Sequence, residues 1–263
     1  MPAGGTGLVL RGLRKELATI GKWHLGWDLT YKEGKAKTVD NIDFTKRVAN
    51  GPTDRGFDYF YGLTSPSGPP HLYMVNDMAE KQPNTRFEES GGGLYKIKGG
   101  IGHSDWSADG MQPHLADKML EYLDENKDSD KPFFLYMALT APHIPLFPSK
   151  EFKGKSKIGD YGDLVMMIDD IVGRVNRKLK EIGKYDNTIV MFAADNGCAG
   201  YINMDRINRK GHYPSYIYRG YKSHGWEGGH RIPFILSWGD RYGHVTDNSL
   251  VSLTDLYATF ADM

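Results

Sequence analysis

The run Phe133-Phe134-Leu135-Tyr136-Met137-Ala138-Leu139 sets the strongest limit on how this chain folds. It carries no charge and is closed in by Lys131-Pro132 before and Ala141-Pro142 after. It is short for a helix and lacks the polar alternation of a half-exposed strand, so it reads as a strand covered on both faces. Thr188-Ile189-Val190-Met191-Phe192-Ala193 has the same character and stops at Asp195-Asn196-Gly197. Ile232-Pro233-Phe234-Ile235-Leu236 is a third candidate, with Pro233 near its start, where a missing N–H is tolerated. Between the first two strands, Leu164, Ile168, Ile171, Val175, Leu179 and Ile182 recur at helical steps, and Gly183 follows as a C-terminal stop. A shorter helix is expected around Leu115, Met119 and Leu123, with Pro113 near its first turn. Ser252-x-x-Asp255 ahead of Leu256, Tyr257 and Phe260 opens another, which the end of the sequence cuts short. Strand, helix, strand implies an α/β fold: a mostly parallel sheet with helices on both faces. Ligands bind such sheets beyond the carboxyl ends of the strands, here at residues 140–145 and 195–197.

Composition narrows the function. Lys plus Arg and Asp plus Glu are each 33, and this balance argues against a nucleic-acid binder while leaving room for a local cationic pocket for one small anion. Hydrophobic residues at 40% and charged residues at 25% exclude disorder on compositional grounds. With Cys198 as the single cysteine, neither an intrachain disulfide nor a cysteine-built zinc site forms. Leu8-Val9-Leu10 stands as the apolar run of the first 21 residues, too short for a signal-peptide core and stopped at Arg11. No run is long enough to span a membrane. Residues 80–112, interrupted by Gly91-Gly92-Gly93 and Gly99-Gly100, read as a surface excursion.

Four short segments hold the residues able to do chemistry. Gly21-Lys22-Trp23-His24-Leu25-Gly26 sets an ammonium and an imidazole two positions apart between glycines. Ala141-Pro142-His143-Ile144-Pro145 holds a histidine in a stiff turn at a strand end. Asp195-Asn196-Gly197 offers a carboxylate and an amide oxygen side by side, donors that suit a hard cation. Arg219-Gly220-Tyr221-Lys222 is followed by Trp226-Glu227-Gly228-Gly229-His230-Arg231-Ile232-Pro233. Taken singly, each has an ordinary reading: loop residues, a proline-bounded turn, a β-turn, a solvated lysine.

Taken as an ordered set, the four segments resemble the sulfatase family, in particular its arylsulfatase-like branch within the alkaline phosphatase superfamily. Gly56-Phe57-Asp58-Tyr59-Phe60-Tyr61-Gly62 adds to the resemblance. So do Tyr161-Gly162-Asp163 leading into the helix with Asp169-Asp170, and Asp186-Asn187-Thr188-Ile189-Val190 before the Asp-Asn-Gly. The resemblance runs from about residue 18 to the last residue, with residues 80–112 outside it.

The resemblance implies hydrolysis of sulfate esters of small molecules or glycans through a formylglycine, made from Cys or Ser in a Cys/Ser-x-Pro/Ala-x-Arg segment, beside a calcium ion. By matching position it makes Asp195 and Asn196 calcium ligands, Lys22 the lysine between nucleophile and sulfate, and His24 the histidine bonded to formylglycine. His143 and Lys222 become sulfate contacts, His143 also a candidate proton donor to the leaving oxygen. A further polar contact falls to Ser65 or Ser67. It also implies a periplasmic, secreted or lysosomal setting. These groups are expected around one cleft, with calcium bound only weakly because two donors are few. The departures are specific. Cys198 lacks the Pro and Arg of the modification segment, no Ser stands in one, and the family's paired aspartates, expected before Lys22, are absent. The expectation is a partial catalytic domain over residues 1–263, without nucleophile segment or smaller C-terminal domain, inactive alone. The alternatives are a non-catalytic binder of sulfated ligands and a phosphoester hydrolase of the same superfamily.

Overall fold

The computed structural model describes residues 16–263. It divides into two compact units, residues 16–140 with 247–263, and residues 141–246. The apolar run 8–10 lies outside the described residues.

The first unit is built on a five-stranded sheet. Its strands are β1 (Glu16–Lys22), β2 (Tyr59–Leu63), β3 (Met74–Val75), β4 (Met78–Ala79) and, after a small antiparallel ribbon of β5 (Thr85–Phe87) and β6 (Gly100–Gly102), β7 (Phe133–Ala138), in the order β4-β3-β2-β1-β7. β1 runs parallel to β2 from Ala18↔Tyr59 to Lys22↔Leu63, and parallel to β7 from Glu16↔Phe133 to Gly21↔Ala138. β3 and β4 join antiparallel, so the sheet is mixed rather than mostly parallel. The short stretch between Val75 and Met78 permits only a tight hairpin, which forces the antiparallel pairing.

The expected strand at 133–139 is present, but the most buried strand is β1. Leu17, Ala18 and Ile20 are completely buried, with Thr19 nearly so. Four residues of modest hydrophobicity gave little signal; their burial comes from being flanked by strands on both sides. Asp58 ties the entry of this strand pair. Its backbone N–H donates to the Leu17 carbonyl at 2.7 Å, and its Oδ2 accepts from the Leu17 N–H at 3.0 Å.

Helix α1 (Met111–Glu125) buries Leu115, Met119, Tyr122 and Leu123. Tyr122 stacks on Tyr59 at 5.7 Å and meets Phe133 edge-on. The neighbouring Phe134, which alternation turns to the opposite face, meets Phe260 at 5.3 Å. Phe260 belongs to the C-terminal helix α3 (Asp255–Asp262), and Asp255 at that helix's start accepts from the Ser252 N–H at 2.8 Å. Helices therefore cover both faces of this sheet.

In the second unit, α2 (Asp160–Glu181) follows the expected periodicity and buries Leu164, Ile168, Ile171, Val175 and Leu179. Its end is a Schellman arrangement. Gly183 takes φ 68°, its N–H donates to the Lys180 carbonyl, and the Lys184 N–H reaches back to the Leu179 carbonyl. At the other end Asp163, fully buried, accepts from the Gly154 and Ser156 N–H groups. Strands β8 (Ile189–Ala193) and β9 (Phe234–Trp238) pair antiparallel from Ile189↔Trp238 to Ala193↔Phe234. The expectation of one parallel sheet through β7, β8 and β9 is corrected here. Among the described residues β8 pairs with β9 alone, and apolar runs of this kind carry no information about which strand they will meet. Pro233 stands just before β9, which starts two residues later than expected.

Residues 80–112 hold the β5–β6 ribbon and many exposed side chains. They are anchored by Phe87 and Trp106, both packed on buried His71.

Candidate functional site

In the first unit the candidates stand where β1 and β2 end. Lys22 closes β1 opposite Leu63, and the Trp23 N–H continues the ladder to the Leu63 carbonyl at 3.0 Å. Trp23 is buried edge-on against Phe57 at 6.2 Å, and its indole N–H donates to the Gly26 carbonyl at 3.1 Å, closing the loop on itself. Lys22 is half-buried and His24 exposed, with His24 at a left-handed φ of 48°. Two glycines make this strand end possible. A Cβ on Gly21 would lie 2.0 Å from the Ala138 carbonyl oxygen, and one on Gly62 would lie 1.8 Å from the Gly21 oxygen. Ser65 lies two residues beyond β2, half-buried, its hydroxyl accepting from the Ser67 N–H at 3.5 Å. Ser67 in turn accepts through its carbonyl from the Lys98 N–H. The roles of Trp23 and Gly62 in holding Lys22 are not visible in the sequence.

The second unit gathers three of its segments into one knot. The Gly197 N–H donates to the Gly229 carbonyl at 2.9 Å, the Lys222 N–H to the Cys198 carbonyl at 2.8 Å, and the Gly228 N–H to the Arg219 carbonyl at 2.9 Å. The backbones are too close for side chains. A Cβ on Gly197 would sit 2.0 Å from the Gly228 oxygen, and one on Gly228 2.2 Å from the Gly220 oxygen. The glycines in Asp-Asn-Gly and Glu-Gly-Gly are therefore contact glycines, and they bring the Asp195-Asn196 turn and the Lys222 segment together. Asp195 is exposed, Asn196 and Lys222 half-buried.

The Asn196 amide nitrogen donates to Asp195 Oδ1 at 2.8 Å, which leaves the amide oxygen for another partner. Calcium takes six to eight oxygens. Asp195 and Asn196 are of the right chemical kind and fit as two ligands of such an ion. Among the described residues no group of three His, Cys, Asp or Glu side chains is placed to hold a metal. The Asp58 carboxylate is engaged with the Leu17 N–H, and Asp77 pairs with Arg47.

His143 sits between the Ala141–Pro142 and Ile144–Pro145 peptides, half-buried, 6.1 Å from the Tyr201 ring. Its Nδ1 lies 2.7 Å from the Ile144 carbonyl oxygen. A carbonyl only accepts, so Nδ1 carries the hydrogen and Nε2 is the nitrogen that exchanges a proton. Burial pushes the Cys198 thiol above the ordinary range, and its Sγ–H donates to the Tyr161 hydroxyl at 3.6 Å.

Lys22, His24 and Ser65 thus belong to the first unit, and His143, Asp195, Asn196 and Lys222 to the second. Among the described residues no helix is long and apolar enough to cross a membrane.

The sulfatase family profile matches residues 9–263. An N-acetylgalactosamine-6-O-sulfatase of Bacteroides thetaiotaomicron is 29% identical over 277 residues, covering 92% of this chain and 52% of its own length. An arylsulfatase of Hemicentrotus pulcherrimus is 30% identical over 244 residues, covering 93% of this chain and 39% of its own. A solved Bacteroides thetaiotaomicron structure, reported with that organism's metabolism of multiple glycosaminoglycans, superposes with a TM-score of 0.79 at 26% identity, over 98% of this chain and 59% of that one. The chain spans about half the length of the relatives it matches. It belongs to the sulfatase family.

Proposed function

We propose that this chain supplies the sulfate-binding and proton-donating groups of a sulfuric ester hydrolase. The observation that carries the reading is the glycine knot at Gly197, Gly228 and Gly229, which joins the backbone of the Asp195-Asn196 turn to that of the Lys222 segment. Lys222 and Lys22 are the sulfate contacts. A unit charge about 4 Å from a sulfate oxygen gains roughly 4 kcal/mol at an effective dielectric near 20, before solvent exposure discounts it. That attraction grows as negative charge builds on the departing oxygen. His143 protonates that oxygen from Nε2. The Ile144 carbonyl accepts from Nδ1–H in both charge states, so the ring needs no turn between them. Ser65, or Ser67 beside it, gives a further polar contact to the ester.

Calcium, when bound, polarises sulfate oxygens; Asp195 and Asn196 are its ligands from this chain. In the family the attacking oxygen would come from a formylglycine, to which His24 would hydrogen-bond, and this sequence contains no Cys/Ser-x-Pro/Ala-x-Arg segment from which to make one. A second reading is a sulfated-ligand binder without turnover. A two-metal phosphoester hydrolase gains no support, since the described residues near Asp195 offer no group of three ligands.

Calorimetry with inorganic sulfate, with and without calcium, is the test. One site is expected, weakened about tenfold or more by Lys222→Ala and by Lys22→Ala. An isotherm indifferent to both substitutions refutes the assignment. The chain alone should hydrolyse 4-nitrophenyl sulfate no faster than buffer, because losing a nucleophile costs about 10⁶-fold in turnover. Turnover in a protein extended by the gene sequence upstream of codon 1 then separates the hydrolase from the binder.

A further inference from the structure

We propose that Tyr201 is a positioning residue for His143: its hydroxyl fastens Ile144, whose carbonyl in turn holds the imidazole. This inference rests on the sulfate reading above, in which His143 protonates the departing oxygen, and adds the group that keeps the ring aimed.

The turn that carries His143 has few backbone fastenings. Pro142 and Pro145 have no N–H, so His143 and Ile144 bring the two backbone donors of residues 142–145. The ring depends on the second of them, because His143 Nδ1–H donates to the Ile144 carbonyl at 2.7 Å. An imidazole bonded to the next residue is oriented only as well as that residue is held. Tyr201 holds it. Its hydroxyl shares a backbone hydrogen bond with Ile144 that favours the phenolate, against the rise that burial gives the phenol. Only an N–H donated to the oxygen has that effect, so the Ile144 N–H donates and the phenol accepts. The Tyr201 ring also meets the imidazole edge-on, with centroids 6.1 Å apart. Both residues lie in the second unit.

Tyr201 itself has a firm base. It stands in a short 3-10 turn, Gly200–Ile202, whose last residue is buried and donates its N–H to the Ala199 carbonyl at 3.3 Å. A Cβ on Gly200 would lie 2.5 Å from the Tyr221 ring, and the Cys198 carbonyl accepts from the Lys222 N–H. Residues 198–202 are thus joined to the Lys222 segment on one side and to the His143 turn on the other. Tyr201 keeps 42% of its surface exposed, so filling the core is not its role. With its pKa raised the phenol stays neutral, and its oxygen accepts without setting a negative charge beside the imidazole.

The test is nitrogen-15 NMR of the full chain labelled at histidine, with the His143 signals identified by their loss in His143→Gln. At about pH 8 the unaltered protein should show neutral His143 as its Nδ1–H form. Tyr201→Phe keeps the ring and removes the acceptor. It should lower the ratio of Nδ1–H to Nε2–H forms about fivefold, the worth of about one hydrogen bond, and speed Ile144 amide exchange about tenfold. Sulfate affinity should rise between about pH 8 and 5.5 as His143 gains its proton. Tyr201→Phe should cut that rise about threefold and add nothing once His143→Gln has removed it. An unchanged tautomer ratio overturns the positioning role. So does an effect of Tyr201→Phe on sulfate binding that is as large without His143 as with it. An Ile144 amide that exchanges at its intrinsic rate in the unaltered protein overturns it too, with no variant needed. The sulfate reading fails separately, through sulfate binding indifferent to Lys222→Ala and His143→Gln, and the tautomer ratio then still judges Tyr201.

Discussion

The two units hold their candidate groups by opposite means. Lys22 ends a strand whose preceding residues are buried, and the loop behind it is pinned by the Trp23 ring. Asp195 and Lys222 stand in irregular loops joined by backbone bonds, next to strands that leave Ile235 and Leu236 exposed. A group on a buried strand takes its position from the core; a group in a loop takes it from local contacts. Disturbing the first should therefore loosen the whole unit, whereas disturbing the second should loosen the site alone.

The sharpest way to break this comparison is a pair of equivalent substitutions. In Gly62→Ala the new methyl meets backbone, not a yielding side chain, at 1.8 Å, so β1 and β2 cannot both keep their places. The expected cost is about 4 kcal/mol or more, most of the stability of a domain at the low end of the usual range of about 5–15 kcal/mol. In Gly197→Ala the clash is similar, 2.0 Å from the Gly228 oxygen, but it falls on the loop knot. Thermal melting should fall far less there, while sulfate affinity drops about tenfold or more. Equal loss of melting temperature in both variants would show that the knot is part of the structural core.

Acid sharpens the comparison at smaller magnitude. His71 is buried between Phe87 and Trp106; its Nε2–H donates to the Lys98 carbonyl at 2.7 Å and its Nδ1 meets no partner among the described residues. Burial pushes it below its ordinary 6.5, and burial does the same to His114 beside Tyr61 and Tyr73. A neutral buried histidine binds fewer protons than its unfolded counterpart. Its contribution is therefore present above pH 6.5 and is lost as pH falls below it. Each such histidine steepens the loss by at most about 1.4 kcal/mol per pH unit. In residues 141–246 the shifted groups, Tyr161, Cys198 and Tyr201, are all raised by burial, so their effect falls on the alkaline side. Between about pH 7.5 and 5.5, hydrogen exchange corrected for intrinsic rate should accelerate in residues 16–140 and not in 141–246. His71→Gln, whose amide reaches the same carbonyl, should flatten the slope; an unchanged slope would remove His71 as the cause.

How far the sequence could be read follows the same division. Helix α2 was legible down to its glycine stop, because helical periodicity and capping are local. The run at 133–138 was legible as a strand for the same reason. β1 was not, since Leu17-Ala18-Thr19-Ile20 becomes a core strand only through neighbours 40 and more residues away. The pairing of β8 with β9 was equally hidden, because an apolar run does not name its partner. In the loops, glycines next to polar residues pointed to Asp195, Asn196 and Lys222 as residues of interest. The atoms that would meet a Cβ at Gly197 and Gly228 explain why those positions are glycine. What the motifs could not convey is that several of their residues, Asp58, Gly62 and Asp163 among them, hold backbone in place.

The smallest expected effect bears on what the knot does not depend on. Glu227 and Arg231 form an i,i+4 ion pair at 3.2 Å with both side chains more than half exposed. They flank Gly228 and Gly229, so the pair could be taken for the fastening of the knot. Exposed pairs of this kind contribute about 0.2–0.5 kcal/mol and are screened by salt. The three backbone bonds that join Gly197, Lys222 and Gly228 to their partners do not involve either side chain. Glu227→Gln should therefore change stability by less than about 0.5 kcal/mol and leave sulfate affinity within about twofold. The Arg231 guanidinium, already over Tyr218 at 4.6 Å, keeps that contact when its carboxylate partner is neutralised. Denaturant melts at low and high salt, run beside Gly197→Ala, decide the matter. A Glu227→Gln protein as impaired in sulfate binding as Gly197→Ala would mean that charge, not backbone contact, fastens the loops, and the contrast between the two units would then rest on the strand alone.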